Sequence, residues 1–389
     1  MSLRVPGLLK WPGGKERELL ILKEYFPHSI NNYYEPFVGG GSVFLNTEAN
    51  KYYINDLYDE LYYFYKLSIS ENKIFKQYLK NIDDLWLDTS LLFDNNINLF
   101  MEYIEQRHDG ADVNVFSDRV SSIFYEDTFT KKYGYFSEVP VDLQAIMKKN
   151  IASKVKRILK HEEKRGFLNA EDLEKNFKSA LKAAIYTYIR DVYNFFRLNK
   201  VENKALYIAC FYFIRNYCYS SMFRFNSSGG FNVPYGGISY NENYLGKKID
   251  YIYSPKNIDK YRRCEVYNLD FEIFMSKGTY TKDDFIFLDP PYDTDFSDYA
   301  ENVFDQSDQE RLAKVLLRTE AKWLLVTKHT DFIQSLYDKP NINIDRFDKT
   351  YQVSFKNRNN RNVQHLIIRN YLNEGGAVEE SQNLELELL

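Results

Sequence analysis

Cysteine is scarce in this chain. Cys210, Cys218 and Cys264 are the three among 389 residues; they form no Cys-x-x-Cys pair and their number is odd. A disulfide framework or a zinc ribbon is therefore not expected, and a reducing compartment is. The five histidines, His28, His108, His161, His329 and His365, lack metal-ligand spacing, so no metal is expected. No apolar run approaches the length that crosses a bilayer and no signal-peptide pattern opens the chain, which points to a cytoplasmic protein without a membrane span. Excess positive charge is missing as well: 51 Lys and Arg stand against 55 Asp and Glu, a formal net charge of −4. That argues against a uniformly basic nucleic-acid binder but leaves room for a local basic face. There is no Gly-x-Gly-x-x-Gly and no Lys-Ser/Thr behind a glycine loop, so phosphate cradling is disfavoured.

What the chain does have is hydrophobic content of 44%, 34 Tyr and 29 Phe, enough for two globular domains. The run Phe285-Ile286-Phe287-Leu288 is short, β-prone and unbroken, as in a strand buried on both faces of a parallel sheet. It leads directly into Asp289-Pro290-Pro291-Tyr292, placing that tetrapeptide at a strand's C-terminal end, where open α/β sheets bind ligands. Asp289 offers an acceptor for an exocyclic amine, Pro290 a backbone carbonyl for its second N–H, and Tyr292 a face for a flat ring. A strand-ending Asp before a Pro-Pro turn is also ordinary loop chemistry.

Taken in order, Lys10-Trp11-Pro12-Gly13-Gly14-Lys15 permits a close backbone wrap, and a helical pattern covers Glu16 to Tyr25. Tyr33-Tyr34-Glu35, then Pro36-Phe37-Val38-Gly39-Gly40-Gly41-Ser42, reads as strand, glycine loop and helix. A strand at Tyr52-Tyr53-Ile54 ends in Asn55-Asp56, where a Rossmann-like fold carries its ribose-binding acid; capping a helix from Leu57 is the alternative for Asp56. From about Ser68 to Lys260 the pattern is mostly helical, with polar loops expected at 94–96 and 112–117. Within it Lys148, Lys149, Lys154, Lys156, Arg157 and Lys160 surround an apolar stripe of Ile151, Val155, Ile158 and Leu159, a basic helix for a phosphate backbone or a solvated face. Helices are expected over Leu173–Phe196 and Ala205–Phe223, and a hairpin at 224–236 in which Arg224, Asn226, Asn232 and Tyr235 are candidates to meet base edges. Glu265 to Phe271 reads as a strand ending in Asp270, Ser307 and Glu310 have capping-box spacing, and Trp323 to Val326 is a buried strand. Strands at 351–355 and 363–368 flank a basic tip with Lys356, Arg358 and Arg361, suited to phosphates; the acidic tail 374–389 is expected to be disordered.

Lys-Trp-Pro-Gly-Gly-Lys, Glu-Pro-Phe-Val-Gly-Gly-Gly-Ser at 35–42, Asn55-Asp56, Phe-Asn-Val-Pro-Tyr-Gly at 231–236 and Asp-Pro-Pro-Tyr, in that order, resemble the Dam-type (α-class) DNA adenine methyltransferases. The resemblance covers most of residues 7–66 and 205–371. It implies an α/β fold: a Rossmann-like mixed sheet in 1–66 and 261–373 that binds S-adenosylmethionine, with a mostly helical target-recognition domain inserted at 67–260. By position, Trp11 and Lys15 line the donor site, Phe37, Gly39, Gly40 and Gly41 form its floor, Asp56 takes the ribose, and Asp270 with Phe271 meets the donor's adenine. Asp289, Pro290 and Tyr292 become the catalytic loop, Asp289 also bordering the donor. The implied reaction is transfer of the donor's methyl to N6 of an adenine flipped out of duplex DNA. A cognate restriction endonuclease is a candidate partner, and a monomer is expected. Family members that read GATC usually follow the Pro-Phe/Tyr-Gly turn with a basic residue, where this chain has Gly237-Ile238-Ser239. Cytosine N4, RNA or a protein amide as acceptor, and a DNA-binding regulator without turnover, stay open as alternatives.

Overall fold

The computed structural model describes residues 7–136, 139–200, 202–291, 304–350 and 362–372. Tyr292, Lys356, Arg358 and Arg361, the strand expected at 351–355 and the tail 374–389 lie outside the described residues. The chain divides into two compact units, Met1–Ser70 with Pro255–Leu389, and Glu71–Ser254.

The first unit is built on a seven-stranded mixed sheet, in agreement with the α/β expectation. Its strands are β1 (Asn32–Glu35), β2 (Lys51–Asn55), β3 (Cys264–Tyr267), β4 (Phe285–Leu288), β5 (Lys322–Lys328), β6 (Asn343–Thr350) and β7 (Asn362–Arg369), in the order β3-β2-β1-β4-β5-β7-β6. The first five run parallel, and β7 is antiparallel to both β5 and β6. All four residues of β4 are buried, as its unbroken apolar run requires. In β1 the side-chain alternation uses tyrosines: Tyr34 stacks on Tyr53 at 4.8 Å on one face, and Tyr33 meets Tyr52 and Phe285 at 6.1 Å on the other. Tyr34, Ile286, Leu288, Trp323, Leu325, Leu366 and Ile368 are the sheet's buried members of one hydrophobic cluster.

Several local expectations shift. The first helix is only Leu19–Lys23, and the helix expected from Leu57 runs Asp59–Ile69 with Tyr58 as its N-cap. The capping box before the helix Gln306–Leu316 is made by Asp305 and Asp308, not Ser307 and Glu310. Asp305 accepts from the amides of Ser307 at 2.8 Å and Asp308 at 3.2 Å, since a carboxylate two residues earlier is at least as good an acceptor as a serine. Strand β6 was not legible in the sequence: Asn343-Ile-Asp-Arg-Phe-Asp-Lys-Thr350 is polar because it is an edge strand, fixed by main-chain pairing to β7.

The second unit is mostly helical, with long helices at Lys73–Asn95, Val113–Phe124, Leu143–Arg165, Ala170–Asn199 and Lys204–Tyr217. Two polar stretches expected as loops are helix ends: Asp94 and Asn95 close the helix Lys73–Asn95, and Asp112 caps the helix Val113–Phe124 by accepting from the Asn114 amide at 2.7 Å. In the basic helix Leu143–Arg165 the buried stripe is Ile151, Val155 and Ile158, while Leu159 is half-buried. The helix expected to reach Phe223 stops at Tyr217.

Candidate active site

The sheet reverses its strand order between β1 and β4, and the loops leaving the C-terminal ends of β1, β2, β3 and β4 carry the motifs picked out in the sequence. The loop after β1 adopts left-handed backbone at Gly39 (φ +49°) and Gly41 (φ +77°), and Gly41 is the N-cap of the helix Ser42–Asn46. A Cβ on Gly40 would lie 2.5 Å from the Leu9 carbonyl oxygen and one on Gly41 2.6 Å from the Tyr65 hydroxyl. The loop is strapped from several sides: the Leu8 amide donates to the Gly40 carbonyl at 2.9 Å, the Tyr65 hydroxyl to the Gly39 carbonyl at 2.8 Å, and the Trp11 ring lies against Gly39. Behind it, buried Lys260 donates to the carbonyls of Phe44 at 3.0 Å and Leu45 at 3.2 Å, closing the short helix; burial pulls its ammonium down to about 8.

Asp56 is not the N-cap of the following helix, a place taken by Tyr58, but its carboxylate ties that helix's approach to the glycine loop. One carboxylate oxygen accepts from the Gly39 amide and the other from the Tyr58 amide, each at 3.0 Å, so the side chain fixes both the glycine loop and the approach to the next helix. Burial pushes this carboxyl up to about 6, against the pull of the amides of Tyr58, Gly39 and Leu57. Half-buried Trp11 meets Tyr58 at 5.2 Å. β3 ends at Tyr267, short of the Asp270 expected to close it; Asp270 instead caps the helix Phe271–Ser276 by accepting from the Glu272 amide at 2.9 Å and takes the Arg311 guanidinium at 2.7 Å. Arg311 also reaches Glu272 at 2.9 Å and Asp308 at 2.7 Å and covers the Phe271 ring at 4.8 Å. Phe271 is buried, with Phe37 at 5.7 Å and Phe304 at 5.6 Å.

Asp289 follows β4 and accepts from the ammonium of Lys15, which is 1% exposed and also donates to the Gly13 carbonyl at 3.0 Å. Pro290 is buried. Beside them Glu35, the last residue of β1, is 2% exposed and accepts from the Tyr33 hydroxyl at 2.8 Å. Burial holds its carboxyl well above the usual range, and the nearby charges of Asp289 and Asp56 push it the same way. The next loop residue, Pro291, has its carbonyl 3.4 Å from the Nε2 of fully buried Gln309. Among the described residues no cluster of three His, Cys, Asp or Glu could hold a metal ion, and no helix is long and apolar enough to cross a membrane.

Residues 11–353 match the family model for D12 class N6 adenine-specific DNA methyltransferases. The chain belongs to that family. A type II methyltransferase of Paramecium bursaria Chlorella virus NC1A is 35% identical over 173 residues, 41% of this chain and 60% of the relative. A type II methyltransferase of Methanocaldococcus jannaschii is 25% identical over 95% of this chain and 100% of its own length. A DNA adenine methylase of Vibrio cholerae is 23% identical over 90% of this chain and 91% of its own. The membership makes the protein an adenine-specific DNA methyltransferase, and the loops at the sheet's C-terminal edge are its candidate active site.

In the helical unit the methyltransferase carries the expected hairpin in a looser form, held by two isolated bridges, Cys218 with Tyr235 and Phe225 with Phe231. Arg224 is exposed and donates to the Asn232 side chain at 2.8 Å, pairing two of the candidates. Asn226 works for the turn itself, its oxygen accepting from the Gly230 amide at 2.8 Å and the Ser228 hydroxyl at 2.8 Å. Tyr235 is half-buried, packs on Trp86 at 5.6 Å and Tyr186 at 5.7 Å, and donates to Asn241 at 2.9 Å. The structure also brings in Glu35, Lys260, Gln309 and Arg311, which the sequence reading had not singled out. Glu35 stood inside a quoted motif; the other three lie on helices whose patterns carry no signal of what they reach.

Proposed function

We propose that the methyltransferase uses Asp289 and the Pro290 carbonyl to hold the N6 amino group of an adenine flipped out of duplex DNA, next to a donor site formed by the glycine loop, Trp11, Lys15, Asp56, Asp270 and Phe271. The observation that carries this reading is the meeting of Asp289 with Lys15 beside the glycine loop, at the edge where the strand order reverses. The residues fit S-adenosylmethionine. Gly40 and Gly41 have no room for a side chain against Leu9 and Tyr65, so the loop's backbone is held bare at the sheet edge where a nucleoside would lie. Asp56 turns its acceptor positions to the amides of Gly39, Tyr58 and Leu57, and a carboxylate has about four, so one remains for a ribose hydroxyl. Trp11, Tyr58, Phe37 and Phe271 supply aromatic surface on either side. When bound, S-adenosylmethionine supplies an electrophilic methyl group on a sulfonium.

The protein's part is positioning and charge. Asp289 accepts one N–H of the target amine and the Pro290 carbonyl the other, which orients the nitrogen lone pair and stabilises the positive charge that develops there. Lys15 fixes the carboxylate's direction. Gln309, donating to the Pro291 carbonyl, steadies the same loop. The sheet unit is assigned donor binding and chemistry, and the helical unit target recognition. Two of the relatives are named type II methyltransferases, and by that likeness a cognate restriction endonuclease is the proposed partner. The test is transfer from labelled S-adenosylmethionine to unmethylated mixed-sequence duplex DNA, with digested nucleosides identified by mass. Labelled 6-methyladenine from wild type and at least about 100-fold less from Asp289→Asn is the expected result; label in methylcytosine, or in RNA alone, rejects the assignment of the acceptor.

A further inference from the structure

The helix Lys204–Tyr217 ends abruptly, and the turn that ends it is strained. Ser220 (φ +50°) and Ser221 (φ +51°) are two consecutive residues with side chains in left-handed backbone, a region that serine enters at a cost. One group clamps the second of them and the residue that follows. Arg215, 0% exposed and a turn back in the helix, donates to the Ser221 carbonyl at 3.0 Å and the Met222 carbonyl at 2.6 Å, with Cys218 Sγ at 3.8 Å. Its guanidinium plane lies over the buried Phe223 ring at 4.8 Å. A forked, rigid donor can bridge two successive carbonyls where a lysine, with one nitrogen, cannot do so with the same geometry.

This turn is the root of the hairpin. The Tyr219 amide donates to the Pro234 carbonyl at 2.8 Å and the Gly236 amide to the Tyr217 carbonyl at 2.9 Å, so the direction of the turn sets the direction of both hairpin arms. Phe223, clamped by Arg215, packs on Phe225 at 5.0 Å and Phe231 at 6.0 Å, and Arg224 lies between the first two. The pair Arg224–Asn232 is therefore aimed by a residue that itself points inward.

We propose that Arg215 is the positioning residue of target recognition: by pinning the left-handed Ser220–Ser221 turn it aims the Arg224–Asn232 pair, and so governs which adenines are methylated. The proposal rests on the reading of the hairpin as the DNA-contacting element. It places a specificity determinant in the core, on a residue with no exposure to DNA.

The test uses the full chain and random-sequence duplex DNA, with methylated adenines mapped by sequencing that detects 6-methyladenine. Arg215→Lys should keep the donor KM within about twofold while the share of methylation at non-cognate sites rises about tenfold or more. Because a buried substitution can fail to fold, Ser220→Val with Ser221→Val supplies the second arm: β-branched residues oppose left-handed backbone, and this pair displaces the turn without touching the core. It should relax the site profile in the same way, whereas Ser220→Gly with Ser221→Gly, which keeps the backbone accessible, should retain the wild-type profile. An unchanged profile in the valine pair overturns the proposal, as does an Arg215→Lys enzyme that is slower on every site with its profile intact. Arg224→Ala separates the two levels: a profile indifferent to that change removes the hairpin reading itself.

Discussion

Lys15 and Asp289, 274 positions apart in sequence, form an ion pair in which the lysine is almost wholly buried. The N-terminal Gly-Gly loop and the loop after β4 are thereby one unit. Lys15→Met strands a carboxylate in a partly buried site; breaking such a pair costs roughly 3–5 kcal/mol when it is fully buried, and less here because Asp289 keeps some exposure. Thermal melting should fall and binding of labelled S-adenosylmethionine, followed by equilibrium dialysis, should weaken. Asp289→Asn keeps the shape and should lower kcat about 100-fold or more while donor affinity changes only a few-fold. Equal donor loss in both variants counts against the division of roles.

Asp56 gives a pH signature. Its carboxyl is raised from 3.8 to about 6, so between those values the unfolded chain is ionised where the native one still binds a proton. The group therefore takes stability away as pH rises from about 4 to 6 and changes it no further above. Donor binding has the opposite demand, because ribose hydroxyls are best accepted by the ionised form. The donor KM should rise as pH drops below about 6 in wild type and lose that inflection in Asp56→Asn; an inflection that survives the substitution belongs to another group.

Glu35 carries a similar penalty in a different place. Its carboxyl is held well above 4.5 by burial and by the neighbouring acids, so it too costs stability as pH rises above about 4.5. Glu35→Gln keeps an oxygen to accept from Tyr33 and removes the titration. Denaturant unfolding at pH 8 should find the glutamine variant at least as stable as wild type, with the advantage shrinking towards pH 4. A large loss at pH 8 shows that the ionised carboxylate is needed there.

Arg311 binds three carboxylates, one of them Asp270. The network is partly exposed, so its worth is about 1 kcal/mol, equivalent to roughly fivefold in affinity. Arg311→Met should raise the donor KM by about that factor, more at low salt than at high, with kcat little changed. A fall in kcat alone would place the network in the chemical step.

The local pieces of this protein are legible in its chain. An unbroken apolar run before Asp-Pro-Pro-Tyr specified a buried strand, and the glycines at 39–41 marked a tight turn after β1, taken up as left-handed backbone at Gly39 and Gly41, because each depends on neighbours within a few positions. The order of the motifs was also legible, and with it the family. Tertiary structure decided what those pieces touch. That Asp56 ties the glycine loop to the next helix, that Lys15 meets Asp289 and that Arg311 binds Asp270 all depend on which strand lies next to which, and the strand order departs from the sequence order. The hairpin shows the same limit: its composition made it a candidate for reading DNA, but only packing shows that Tyr235 and Asn226 serve the fold and that Arg215 binds the turn at its root. Such roles arise from desolvation and from donors meeting acceptors across long loops, and neither leaves a periodic trace in the chain.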